Sequence, residues 1–116
     1  MKLVKKVNEP WFSLIAMGFK TCEGRLFKGD FSRLKVGDQI QWTNDSLGFD
    51  RKVETTVVDL IEYDNFAKYV EAETIASTLP AYGVKTYKQA VSVYRKYYTA
   101  EQEKEHGVLA IRLSVA

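Results

Sequence analysis

Extended, alternating apolar patterns at both ends of the chain constrain its fold more than any other feature. Leu3, Val4 and Val7 stand among lysines near the N-terminus, and Leu109, Ile111, Leu113 and Val115 recur at every second residue near the C-terminus. That period of two puts side chains on one face of a strand. Two terminal strands in a chain of 116 residues must share one sheet and one core, because half that length buries too little apolar surface to stand alone. The expectation is a single α+β domain over residues 1–116, with a sheet that closes on itself.

The interior of the sequence supplies the other elements. Asn8 and Pro10 suit the first turn of a helix whose Trp11, Leu14 and Ile15 share a face, and Gly18 suits its stop. From Lys20 to Phe27 the chain alternates again, with Glu23 and Arg25 on one face and Cys22, Gly24 and Leu26 on the other. Gly29-Asp30 and Leu34 to Asp38 read as turns, Gln39 to Thr43 as a strand, and Lys52 to Tyr63 as a long, β-branched central strand with room for a bulge. Asn65 can cap one helix, and Thr86 to Tyr98 carries Tyr87, Ala90, Val91, Tyr94 and Tyr98 on the face of another. The charged run Glu101 to His106 leads into Gly107 and the last strand. This pattern predicts a small mixed β-barrel of five or six strands with flanking helices.

Composition removes several function classes. A chain that is 46% hydrophobic and 28% charged, without low-complexity tracts, is that of a folded globule. Its apolar runs fall far short of the roughly 20 residues a membrane helix needs, and no secretory leader is legible, so an intracellular, cytoplasmic location is expected, or a nuclear one in a eukaryote. Cys22 and His106 are each alone in their type, which excludes an internal disulfide and a His/Cys zinc site; Asp45, Asp50 and Asp59 are too scattered for an oxygen-ligand loop. Neither a metal nor a cofactor is expected. The net charge of +2 is modest, but residues 1–35 hold eight Lys and Arg against three acids, so one pole carries +5 and the remainder −3. Such a pole can attract anions or merely solvate the surface.

Gly18-Phe19-Lys20-Thr21-Cys22-Glu23-Gly24-Arg25 concentrates two cations and a carboxylate beside a glycine. One reading is structural: a partly exposed Glu23–Arg25 pair worth at most about 1 kcal/mol, with Lys20 solvated. The other is chemical, with Lys20 and Arg25 meeting a phosphate or a base carbonyl and Glu23 accepting from an amino group or taking a proton. Trp11, Trp42, Tyr94, Tyr97 and Tyr98 supply aromatic faces, most of which belong in a core. Tyr97 falls off the stripe of its neighbours and is the exposed stacking candidate.

The same octapeptide matches the G-x-K-x-x-E-x-R signature of ASCH domains, and the chain resembles that family along its length. Pro10-Trp11-Phe12, the Leu34-Lys35-Val36-Gly37-Asp38 turn, Tyr94 to Tyr98 and the strand opening Gly107-Val108-Leu109-Ala110-Ile111 look like its members in the same order. The resemblance implies a PUA-like barrel with Lys20, Glu23 and Arg25 at a cleft. It also implies a binding module for single-stranded RNA, a nucleotide or a modified nucleoside, with a protein partner as a further possibility. The alternative it carries is a hydrolase, acting as a ribonuclease or on N4-acetylcytidine. Members of the latter kind look like a lysine followed three positions later by a threonine nucleophile, with a glutamate from a later segment. Lys20 and Glu23 stand at the first two positions here, so the nucleophile is replaced, and Glu71 or Glu73 could supply the third group.

Overall fold

The computed structural model describes residues 1–115. Five strands, β1 (Lys2–Lys6), β2 (Cys22–Leu26), β3 (Gln39–Asn44), β4 (Arg51–Tyr63) and β5 (Val108–Val115), form one sheet in the order β1-β3-β4-β5-β2. β1 runs parallel to β3 and the other neighbours are antiparallel. The long β4 is central, and its register slips between Val57 and Asp59, the local bend a bulge provides. Five helices accompany the curled sheet: α1 (Trp11–Ala16), α2 (Phe66–Glu73), α3 (Ile75–Thr78), α4 (Tyr87–Arg95) and α5 (Ala100–His106).

The expected closure does not occur through backbone pairing. β1 and β2 are the two edges of the sheet and are not paired with each other, so the structure is a half-barrel with a seam. The ladders fix what each edge presents to that seam. Phe27 donates to Gly107 and Leu113 to Thr21, each to its direct partner in the β2–β5 register. The odd-numbered residues of β2 therefore turn their backbone groups toward β5, and Cys22, Gly24 and Leu26 turn theirs to the open side. On β1 the bond from Val7 to Thr43 and that from Gln39 to Met1 likewise leave Lys6 facing outward.

Local chemistry explains most boundaries and several departures from expectation. α1 begins at Trp11 with no side-chain cap from Asn8; Glu9 instead accepts from the Ser13 N–H at 2.8 Å, a carboxylate at the positive end of the helix. Gly18 then adopts a φ of +80°, and both Phe19 and Lys20 donate to the Leu14 carbonyl. Lys20 and Thr21 consequently precede β2 instead of lying within it. Asn65 caps α2 through the Lys68 N–H. Thr86 and Thr99 each form a capping box, with Gln89 and Gln102; the second makes a helix of the charged run, a signal available in Thr99-Ala100-Glu101-Gln102. α4 ends at Arg95, so Tyr97 and Tyr98 lie beyond the helix.

The core is continuous from β1 to α4, with Ile15, Ile40, Trp42, Phe66, Tyr69 and Ile111 wholly enclosed. Phe66 stacks on Tyr94 at 4.4 Å and on Tyr98 at 5.3 Å, which binds the segment after α4 to α2. Gly24 is where β2 meets this layer. A Cβ there would stand 2.6 Å from two ring carbons of Tyr69, closer than any carbon contact, and the buried ring has nowhere to retreat. Gly24→Ala should therefore lower the unfolding free energy by about 1–3 kcal/mol, read from urea denaturation. The same change should cost little in a Tyr69→Ala background, and equal costs in both backgrounds would contradict the packing argument.

Candidate functional site

The end of α1 and the start of β2 deliver Lys20, Glu23 and Arg25 to the seam. Lys20 is only 2% exposed; its ammonium donates to the Cys22 carbonyl at 2.9 Å and to the Thr78 carbonyl, and forms an ion pair with Glu23 Oε1 at 3.3 Å. Two carbonyls and a carboxylate thus surround the ammonium. The Trp11 ring lies 5.5 Å from the same nitrogen. Glu23 Oε2 receives Arg25 Nε at 3.2 Å and Nη2 at 3.1 Å, and Nη2 also reaches across the seam to the Lys6 carbonyl at 3.2 Å. The guanidinium lies 5.3 Å from both the Phe31 and Trp42 rings.

The solvated reading of this motif is thus overturned. Lys20 is buried, Glu23 is buried, and the pair with Arg25 is one arm of a three-residue ionic cluster. A charge this far from water must be compensated or neutralised. Burial depresses the Lys20 pKa, and Glu23 opposes that shift. Burial alone would raise the Glu23 pKa, but the Lys20 and Arg25 charges beside it hold the carboxyl below its ordinary value. Glu23 is thus ionised at neutral pH, at the centre of the cluster.

A cleft of about 130 Å³ opens over these residues. Lys20, Glu23, Arg25 and Tyr97 all line it, together with Lys6, Asn8, Trp11, Gly24, Tyr94 and Tyr98. Tyr97 is half exposed at its rim, 6.4 Å from Tyr98 between ring centres. Trp11 is covered on another side by Tyr82 at 4.8 Å. Trp42, by contrast, is wholly enclosed beneath Arg25 and gives its indole N–H to Thr55 at 3.0 Å. The Tyr94 hydroxyl is buried with no hydrogen-bond partner among the described residues. Sequence reasoning did not find the contributions of the Thr78 and Lys6 carbonyls. Only Lys6 left a trace, as part of the basic pole; carbonyls recruited across the fold leave none.

The later glutamates lie elsewhere. Glu71 is exposed and does not line the cleft. Glu73 is buried in a separate depression beside Thr21, Cys22 and Arg112, where Arg112 grips it at 2.7 and 3.0 Å and the Tyr63 hydroxyl donates to it. Those bonds from Arg112 hold its carboxyl below the ordinary value. The Cys22 thiol is pushed up to about 12, first by burial and also by Glu73, so it carries no thiolate at neutral pH. Among the described residues no group of three His, Cys, Asp or Glu is placed to hold a metal, and no helix is long and apolar enough to cross a membrane.

The model of the ASCH domain family matches residues 6–115. Among solved structures, the hypothetical protein PH0355 is 33% identical, with full coverage of both chains and a TM-score of 0.88. Protein PF0455 from Pyrococcus furiosus is 30% identical over 99% of this chain and 97% of its own, with a TM-score of 0.77. No curated protein matches the chain.

Two outcomes test the ionic cluster. Lys20→Met should cost about 3–5 kcal/mol, because it strips a buried carboxylate of one of its two cations, and Lys20→Met with Glu23→Leu should recover a large part of that loss. Urea titrations of both variants measure it; a double variant no better than the single would show that charge is not what the cluster contributes. Acid provides the second test. Glu23 and Glu73 bind protons less readily folded than unfolded, so their stabilisation is present above the ordinary carboxylate value of 4.5 and is lost as pH falls through their lower folded values. The urea midpoint should drop through that window, more shallowly in Glu73→Gln.

Proposed function

This chain belongs to the ASCH domain family, and on that premise we propose that its cleft binds one base of a single-stranded RNA, or a free nucleotide or modified nucleoside. The observation that carries this reading is the pairing of aromatic walls with a cationic floor in a space of about 130 Å³. A cavity of about 150 Å³ holds benzene, so one planar ring fits and a stacked run of bases does not. Tyr97 and Tyr98 offer faces on which a base can stack, Lys6 stands at the mouth with its ammonium exposed and loosely paired with Asp45 at 3.6 Å, and Arg25 has its Nη1 group free of hydrogen bonds among the described residues.

The geometry redistributes roles within the motif. With its buried ammonium held by the Cys22 and Thr78 carbonyls and paired with Glu23, Lys20 acts as a positioning residue that fixes Glu23, and Arg25 is the cation with a donor to spare. Recognition is favoured over hydrolysis through a Ser, Thr or Cys nucleophile because, among the described residues, no such side chain lines the cleft, and Glu23, the carboxylate that could activate a water, is engaged by Lys20 and Arg25. Thr21 and Cys22, the nearest such groups in sequence, line the other depression.

Fluorescence anisotropy with a short labelled single-stranded RNA tests the proposal. Tyr97→Ala should weaken binding by about fivefold or more, the lower end of what one stacked base contributes. Lys6→Ala should reduce the slope of log affinity against log salt by about 0.7 if its ammonium meets a phosphate. RNA binding that both variants leave untouched would remove the cleft from the function. Conversion of N4-acetylcytidine to cytidine by the wild type, lost in Lys20→Ala, would replace recognition by hydrolysis.

A further inference from the structure

Gly24 is buried in the wall of the cleft, yet its backbone N–H and C=O point away from β5 and have no hydrogen-bond partner among the described residues. Buried backbone groups in native proteins are almost always paired, with protein, water or ligand. The edge on either side of Gly24 is already occupied. Toward the start of β2 the Cys22 carbonyl accepts from Lys20 and, at 3.4 Å, from the Tyr69 hydroxyl. Toward its end the Arg25 guanidinium crosses to the Lys6 carbonyl of β1. The Cys22 and Leu26 N–H groups also face this edge, but the Leu26 carbonyl is taken by the Lys28 N–H and neither residue lines the cleft. What the edge leaves open to the cleft is one donor and one acceptor from Gly24.

That opening is too short for strand addition, in which a peptide pairs with alternate residues along a run of edge. A planar heterocycle needs only one donor beside one acceptor. The other uncommitted polar groups in the wall lean toward donors: Arg25 Nη1, the Trp11 indole N–H and the Tyr94 hydroxyl, which is buried without a partner, can donate, while the Asn8 amide offers both kinds of group. The one carboxylate in the wall among the described residues, Glu23, is already paired with Lys20 and takes two N–H groups from Arg25. Surplus donors call for a ligand rich in carbonyl oxygens.

We propose that the cleft reads the imide edge of a uracil-type base. Its ring N–H donates to the Gly24 carbonyl, one flanking carbonyl accepts from the Gly24 N–H, and the second carbonyl accepts from Arg25 Nη1. This rests on the nucleic-acid reading above and narrows it to a base class recognised by backbone.

Because the recognising groups are backbone, the test changes the ligand and leaves the protein intact. Wild-type protein is titrated with a short uridine oligonucleotide and with copies whose uridines are 5-methylated or N3-methylated. The 5-methyl group leaves the edge intact and should keep affinity within about threefold, whereas N3-methylation removes the donor and blocks the Gly24 carbonyl and should weaken binding by about tenfold or more. Equal binding of the N3-methylated copy overturns the edge assignment while leaving base binding in place. Absence of binding to the uridine oligonucleotide, with binding to a cytidine or adenosine one, overturns the uracil class alone; absence of binding to any of them overturns the nucleic-acid reading as well. Displacement by a blocked glycine tripeptide as effective as displacement by uridine would assign the edge to peptide instead.

Discussion

A carboxylate held between two cations across an open seam is the constraint on which the rest of this structure depends. Glu23 lies on β2, Arg25 bridges from β2 to the Lys6 carbonyl of β1, and Lys20 ties the same carboxylate to the Thr78 carbonyl at the end of α3. The two sheet edges are therefore joined by side chains where backbone pairing is missing. A ladder would have filled the gap with hydrogen bonds. Side chains span it and leave a space, and that space is the cleft.

The cluster also explains why the motif residues divide their work. A buried ammonium must satisfy its donors, and Lys20 does so entirely within the protein. Arg25 is planar, has more donors than Glu23 and Lys6 consume, and is packed against the Phe31 and Trp42 rings; it stays fixed in direction while keeping a group available. Preorganisation of this kind lowers the ordering cost of binding a small ligand. The aromatic layer of Phe66, Tyr94 and Tyr98 holds the far wall in the same way.

A second ionic cluster, Glu73 with Arg112, Tyr63 and Cys22, occupies a separate depression. Cys22 and Glu23 are adjacent in β2 and project to different faces, so each belongs to a different cluster. This separation is what removes Glu73 from the cleft and leaves Glu23 as the only carboxylate lining it among the described residues. Bulk at Gly24, between the two, is excluded by the Tyr69 ring.

The sequence by itself determined the periodic parts of this protein. Alternation placed Glu23 and Arg25 on one face, the caps at Asn65 and Thr86 set the starts of α2 and α4, and the break in the tyrosine stripe marked Tyr97 as exposed, because each depends on neighbours within a few residues. Even the helix at Ala100–His106 was written locally, in its capping box. Only the tertiary structure decided that β1 and β2 would not pair, that Lys20 would be buried, and that Glu73 would serve another cluster. Those outcomes turn on groups distant in sequence, such as the Thr78 and Lys6 carbonyls. The backbone is the same at every residue, so no side-chain pattern announces which carbonyl a buried cation will find.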